Sequence, residues 1–254
     1  MASRIETSLG HGILTIRMNR PLKKNAITGE MYAEMAAGLK KAAEMDKIRC
    51  TLILGTPGAF SSGNDIADFM QIAMSGERGS MAVFDFLEQI IMASKPVIAG
   101  VDGLAIGVGT TMLMHCDYVI ASEHSTFKTP FVDLGLVPEA GSSLIAPRIM
   151  GHHNAFAMLA MGETFTAQEA QRVGLVHRVC KDENLEKYAH QVAENISAKP
   201  PEALKISRDL IRGDRSDVLA RMKEEAVLFG ERLTSDEAKA AFMAFMAKGQ
   251  KKAG

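Results

Sequence analysis

Glu139 is the residue in this chain best equipped to do chemistry. It stands in Pro138-Glu139-Ala140-Gly141 with no basic residue within five positions, so no neighbour along the chain pairs with it. Upstream, the apolar run from Val97 to Val101 ends at Asp102-Gly103, and Gly107-Val108-Gly109 then opens a segment that reads as a helix from Thr110 to Met114. A strand, a glycine-bearing turn and a helix start leave backbone N–H groups free at the positive end of a helix, where developing negative charge can settle. A second glycine-bearing turn, Ser61-Ser62-Gly63-Asn64-Asp65-Ile66, also leads into a helix. An anion-stabilising turn and an isolated carboxylate suit acid–base chemistry on a substrate that becomes anionic. Plainer roles stand beside this one: Glu139 as an acid capping the helix through Leu144, and Asp65 as a residue that fixes its turn through backbone hydrogen bonds.

The elements that must position these groups follow in chain order. Ile5 to Gly10 and Ile13 to Met18 alternate as an antiparallel hairpin around Gly10-His11-Gly12. A polar loop over 19–26 leads to a helix capped by Thr28 and running to about Met45, with Met31, Met35, Leu39 and Ala42 on one face. Thr51 to Leu54 and Tyr118 to Ala121 read as buried strands, and Ile66 to Ser94 as a helix broken once at Ser75-Gly76. Met70, Ile72, Met74, Met81, Phe84, Phe86 and Leu87 give that helix an apolar lining and are core by default. Strands alternating with helices argue a mainly parallel α/β sheet with crossovers.

Beyond Ala146 the strand signal fades, with Leu175 to Val179 as one last candidate. Thr166 to Glu169 forms a capping box, Leu185 to Ile196 is an amphipathic helix, and Pro200-Pro201 ends it. Three helices follow, over about 202–212, 216–230 and 235–248, the last with an apparent capping box from Thr234 to Glu237. The division expected is an α/β core over 1–198 and a helical oligomerisation region over 199–254. The stripes Val218, Leu219, Met222, Ala226, Phe229 and Ala238, Ala241, Phe242, Phe245 need covering, and a neighbouring subunit would do so.

Composition excludes several classes. Of 254 residues, 47% are hydrophobic and 23% charged, with a formal net charge of −1, so there is no basic footprint for nucleic acid. The apolar runs fall far short of a membrane span. Cys50, Cys116 and Cys180 are widely spaced and odd in number, which indicates free thiols in a reducing compartment. The pair His152-His153 lacks metal spacing and reads as a solvated helix start. No metal site and no cofactor are expected. With structure predicted from Ile5, no targeting segment is expected either, and the setting read from this is cytoplasmic.

Four motifs, Ser61 to Ile66, Val101 to Gly109, Cys116 to Ala121 and Leu134 to Gly141, resemble in order and spacing those of the crotonase family, the enoyl-CoA hydratases and isomerases. The resemblance covers about 5–249. It implies a core of ββα spiral turns with a C-terminal helical trimerisation region, and a homotrimer or homohexamer. It also implies an acyl-CoA thioester substrate whose oxygen is held by two backbone N–H groups, those of Asn64 and Val108. Lys24, Ala26, Ser62, Asp65, Ile66, Gly107, Phe131 and Lys248 fall at substrate-contacting positions, the lysines (with Lys23) as partners for the CoA phosphates.

Hydratases of this family use two glutamates, whose positions here hold Thr111 and Phe131. Neither side chain can act as a general base for water. Glu139 remains, in a passage from Thr129 to Ser143 that resembles the peroxisomal-type Δ3,Δ2-enoyl-CoA isomerases, which work with a single glutamate here. The implied reaction moves a 3-enoyl double bond to the 2-position through a dienolate. The alternatives are a hydratase with an unusual base, a thioester hydrolase using Ser142 or Ser143, for which no His–acid motif is present, or a noncatalytic acyl-CoA-binding homologue.

Overall fold

In the computed structural model, which describes residues 4–67 and 81–251, the chain winds as repeated ββα units. Strands β1 (Ile5–Gly10) and β2 (Ile13–Met18) pair antiparallel, as the hairpin pattern predicts. β2 then pairs in parallel with β3 (Cys50–Leu54), followed across the sheet by β5 (Val97–Val101), β7 (Tyr118–Ser122) and β10 (Arg178–Cys180). A second sheet stacks the short strands β4 (Ala59–Ser61), β6 (Leu104–Ile106), β8 (Thr126–Lys128) and β9 (Phe165–Thr166). Each unit gives one strand to the large sheet and the next to the small one, as β3 and β4, β5 and β6, β7 and β8 do.

The strands of the large sheet are apolar on both faces because both are covered. Cys50, Leu52, Leu54, Ile98 and Ile120 face the helix at Leu185–Ser197, whose Leu185, Ala189 and Ala193 pack on them. Gly100 permits that approach: a Cβ there would stand 2.7 Å from Leu54 and 3.3 Å from Ala189. The alternate residues, Ile53, Val97, Ala99 and Val101, join the main core under α1 (Gly29–Glu44) and α2 (Met81–Ile91). Thr28 caps α1 by accepting from the Met31 N–H. Of the helix expected from Ile66 to Ser94, residues 68–80, with Met70, Ile72 and Met74, lie outside the described residues, and its described end is Ile91 instead of Ser94.

Two short segments complete the β6–β7 connection: α3 (Val108–Thr111) and a 3₁₀ turn over Met112–His115. Helix α4 (Ser142–Leu159) is two helical stretches joined at a kink, where Gly151 has φ 75°, and the second stretch starts at the exposed pair His152-His153. Then come α5 (Ala167–Arg172), with the Thr166–Glu169 capping box in place, α6 (Leu185–Ser197), α7 (Pro201–Arg212), α8 (Ser216–Leu233) and α9 (Asp236–Lys251). The last strand lies at 178–180 instead of within 175–179. The cap of α9 is Ser235, whose hydroxyl accepts from the Ala238 N–H, whereas Thr234 bonds back to the Glu231 carbonyl at the end of α8.

The C-terminal stripes differ from expectation in what covers them. Val218, Met222, Ala238 and Phe242 are buried in this chain's own main core, with Leu219 and Phe229 packed against it. Phe242 is 1% exposed, and truncating such a side chain typically costs about 3–5 kcal/mol. Arg208 fastens α7 to the sheet, donating to Asp117 at 2.9 Å and to the Ala93 carbonyl at 2.7 Å. Ile206, Leu210 and Ile211 on α7, Val227 and Leu228 on α8, and Met243, Phe245 and Met246 on α9 remain exposed. Among the described residues no helix is long and apolar enough to cross a membrane, and the three cysteines are free thiols.

Candidate active site

The two glycine turns meet because their strands are neighbours. β4 and β6 run parallel, so the turns leaving them lie side by side. A Cβ on Gly63 (φ 88°) would come within 2.8 Å of the Ile106 carbonyl oxygen, so glycine is required for this contact. Gly109 similarly sits 3.0 Å from Ser61, measured at the position its Cβ would take. Gly107 donates its N–H to the Lys128 carbonyl on β8, which fixes the second turn, and Thr110 Oγ1 closes on the Ala105 carbonyl at 2.6 Å.

The first turn is held from the chain's other side. Ile27 donates to the Gly63 carbonyl, and Asp65 donates to the Ile27 carbonyl, so Asn64 is bracketed by a short bridge. Among the described residues nothing accepts from the backbone N–H of Asn64 or of Val108. Both donors are thus available to a ligand. The Asn64 side chain is also engaged, its Oδ1 accepting from the Tyr32 hydroxyl at 2.5 Å.

Asp65 behaves as a turn residue. One carboxylate oxygen accepts from the Ala67 N–H at 3.0 Å and the other pairs with Arg20 at 2.6 Å. Partial burial opposes ionisation, but these bonds hold its carboxyl below the usual range. Ile66 begins the helix that follows and packs against the main core.

Lys24 and Ala26 lie beside this turn. The Ser62 N–H donates to the Lys24 carbonyl at 2.9 Å, and the Ser62 hydroxyl donates to that of Lys23. The Ala26 carbonyl accepts from Arg20. Asn25, fully buried at φ 53°, organises the loop by donating to the carbonyls of Ala59 and Phe60 and accepting from the Arg20 N–H. Lys24 and Lys23 are exposed. Lys248 falls on α9, and its side chain is outside what the structure describes.

Glu139 is 8% exposed. Its Oε1 accepts from Thr111 Oγ1 at 2.5 Å, and its side chain does not cap α4, whose N-cap, Gly141, has no side-chain cap of its own. Burial pushes its carboxyl up to about 7; the Thr111 bond acts downward, and the charge of Glu225 adds to the rise. Phe131, 5% exposed, precedes the 3₁₀ turn Val132–Leu134.

Tyr32 of α1, packed on Phe86, reaches the same region. Burial, then the charge of Glu139, keep its phenol protonated well above the usual range. Tyr32 and Glu225 are contributions that sequence reasoning missed, and so is Thr111 as a hydrogen-bond donor. No local signal marks the first two.

The turn bearing Glu139 is held from two directions. Ala140 and Gly141 both have left-handed φ, 63° and 70°. The Ala140 carbonyl accepts from His115 Nε2 at 2.8 Å, while Arg215 donates to His115 Nδ1 at 2.9 Å. Burial, reinforced by the Arg215 charge, lowers the His115 pKa to about 3, so the imidazole is neutral with its proton on Nε2. The N–H groups of Gly141 and Ser143 donate to the two oxygens of Glu225.

Among the described residues, Glu123, His124 and Asp182 are a group whose ligand atoms lie within 4.8 Å of one another. They are exposed, and His124 already pairs with Asp182.

A ββα spiral thus carries a buried carboxyl on a turn with left-handed backbone, and two glycine-bearing turns whose Asn64 and Val108 N–H groups have no acceptor among the described residues. The chain belongs to the enoyl-CoA hydratase/isomerase family, whose pattern it matches over residues 8–253. It is 36% identical to enoyl-CoA delta isomerase 2 of Rattus norvegicus over 94% of its own length, and spans 62% of that relative. It is 28% identical to the short-chain-enoyl-CoA hydratase of Clostridium acetobutylicum, covering 93% of this chain and 92% of that one. The crystal structure of an enoyl-CoA hydratase/isomerase from Pseudoalteromonas atlantica T6c superposes with a TM-score of 0.91 at 39% identity, over 97% of this chain and 98% of the other. The crotonase-like α/β fold with a helical C-terminal region is therefore as the motifs imply.

Proposed function

We propose that this protein isomerises 3-enoyl-CoA to 2-enoyl-CoA, with Glu139 as both base and acid. Glu139 takes a proton from C2; the C2–H electron pair becomes a C1=C2 double bond as the thioester C=O opens to C–O⁻, which gives a dienolate conjugated with the C3=C4 double bond. The Asn64 and Val108 N–H groups receive that negative charge; the loss of one such donor typically costs about 3–4 kcal/mol. Glu139 then returns the proton at C4, leaving the conjugated product. A carboxyl whose pKa lies at about 7 can take and give a proton at neutral pH.

The observation that carries this reading is the Glu139–Thr111 contact. Where the hydratase pattern has a glutamate, Thr111 donates to Glu139 instead. The nearby carboxylate of Glu225 is no substitute, since both its oxygens accept backbone N–H groups. CoA arrives as part of the substrate, and no further cofactor is required. Lys24 and Lys248 are assigned to its phosphates, and Ala26, Ser62, Asp65, Ile66, Gly107 and Phe131 to contacts along the thioester and acyl chain. The active form is a cytoplasmic homotrimer or homohexamer serving fatty acid β-oxidation.

Turnover of 3-hexenoyl-CoA, measured beside hydration of crotonyl-CoA, tests the proposal. Isomerisation with little hydration is expected. Efficient hydration favours the second reading, in which the chain works like its hydratase relative, and the absence of both reactions leaves an acyl-CoA-binding protein.

A further inference from the structure

Helix α4 begins without a local cap. Its N-cap is a glycine with left-handed backbone and no capping side chain; Ser142 donates to the Glu139 carbonyl and Leu144 to that of Gly141, which leaves the N–H groups of Gly141 and Ser143 without a local acceptor. A serine or aspartate at that position is the ordinary solution. Here the acceptor is Glu225, 84 residues beyond Gly141, on a different helix. Its Oε2 accepts from Gly141 at 2.5 Å and its Oε1 from Ser143 at 2.9 Å.

This arrangement places a second acid in the interior. Glu225 is 4% exposed, and burial raises its carboxyl pKa. A buried charge costs stability unless hydrogen bonds and partners compensate it. Glu225 has both: two backbone N–H donors, and Arg221 one helical turn earlier, which also donates to the Ser143 hydroxyl at 3.2 Å. The same helix closes on the turn sterically, since a Cβ on Gly141 would lie 2.9 Å from Val218 Cγ1. The two residues Glu225 grips lie two and four positions after Glu139.

We propose that Glu225 is the positioning residue for Glu139: by holding the Gly141 and Ser143 N–H groups it fixes the turn that aims the carboxyl. The inference rests on Glu139 being the base. A local cap would satisfy the α4 N–H groups equally well, but it would neither tie the turn to α8 nor set a carboxylate beside Glu139. The ionisable groups facing Glu139 are Tyr32 from α1, which stays neutral, and Glu225 from α8; those facing Glu225 are Arg221 and Glu139.

Two variants separate the hold on the turn from the charge beside Glu139. Glu225→Gln removes the charge and sets an amide N–H₂ against one backbone donor. Glu225→Asp keeps the charge but draws it back by one methylene. Each is assayed with 3-hexenoyl-CoA for kcat and KM, and the Glu139 carboxyl is titrated by carbon NMR in glutamate-labelled protein, with Glu139→Gln providing the assignment.

Both variants are expected to lose about 10- to 100-fold in kcat, the scale of a misplaced catalytic group, with KM nearly unchanged. Glu225→Gln should also lower the Glu139 titration midpoint, and Glu225→Asp should leave it near the wild-type value. Wild-type kcat and midpoint in Glu225→Gln overturn the proposal. So does a loss of activity that only follows the folded fraction, judged by circular dichroism. Should the wild type not isomerise at all, the reaction assigned above is wrong, while the NMR midpoints still decide whether Glu225 tunes Glu139.

Discussion

Thr111 Oγ1 lies 2.5 Å from Glu139 Oε1, and both side chains are buried. The bond joins α3, which starts at the second glycine turn, to the turn that carries the acid. On the proposed mechanism, one contact would set base and anion site together.

Thr111→Val keeps the shape and removes the donor. A hydrogen bond to the ionised form favours it, so its loss raises the Glu139 pKa beyond the present value of about 7. The acid limb of the isomerisation profile should move to higher pH by about one pH unit or more, given roughly 1.5–3 kcal/mol for a bond to a charged group. A pH profile of kcat/KM that matches wild type would show that the bond does not couple to the base.

Glu139→Gln should abolish isomerisation while acyl-CoA still binds, measured by calorimetry with a nonreactive thioester analogue. It should also stabilise the fold at alkaline pH. The native carboxyl holds its proton up to about 7, whereas the unfolded one releases it near 4.5, so the wild type loses stability as pH rises between those values. Above that window the cost reaches roughly 3 kcal/mol, and below pH 4.5 it is absent. Denaturant melts of the two proteins at pH 4 and pH 8 check the difference; equal gaps at both would remove burial as its cause.

His115 has the opposite sign. Its native pKa of about 3 lies below the ordinary imidazole value of 6.5, so the unfolded chain binds the proton first. Stability from His115 is complete above pH 6.5 and is lost as pH falls toward 3. His115→Gln, whose amide can still donate to the Ala140 carbonyl, should flatten the acid limb of a stability-versus-pH curve. An unchanged acid limb would mean that His115 is not the group responsible.

The assembly is expected to be a trimer or a dimer of trimers, with exposed apolar side chains on α7 to α9 covered between copies. Light scattering on the intact chain at micromolar concentration checks this, and a monomeric mass refutes it. Truncation at Ala198 is a poor test, because it strips Val218, Met222 and Phe242 from the core and Glu225 from the Glu139 turn. Ile211→Lys, at a side chain 85% exposed, perturbs the surface alone.

The parts of this fold written in the sequence are those whose signal is local. The hairpin at 5–18, α1 with its Thr28 cap, and the apolar runs of β3, β5 and β7 carry their own periodicity and punctuation. The small sheet does not. β4, β6 and β8 have three residues each and β9 has two, too few for alternation to register, and only their stacking makes them strands. The site divides in the same way. Glu139 stood out by its isolation and the glycine turns by their spacing. Asn25, Tyr32 and Glu225 act across 34, 32 and 84 residues of chain, a separation at which residue type says nothing of the partner. The apolar stripes of α8 and α9 were legible as stripes, but not which surface they would meet.

Ala140 and Gly141 leave this region little room to vary. Position 140 combines φ 63° with 1% exposure, so only glycine would fit it without strain, and alanine is the smallest apolar side chain that can accept it. Position 141 is closed by Val218 even to a methyl. A directed-evolution campaign that randomises the neighbourhood of the acid would therefore waste most of its diversity on these two codons. The variation that can be inherited must come from side chains that face the acid from other elements, such as Tyr32 and Thr111.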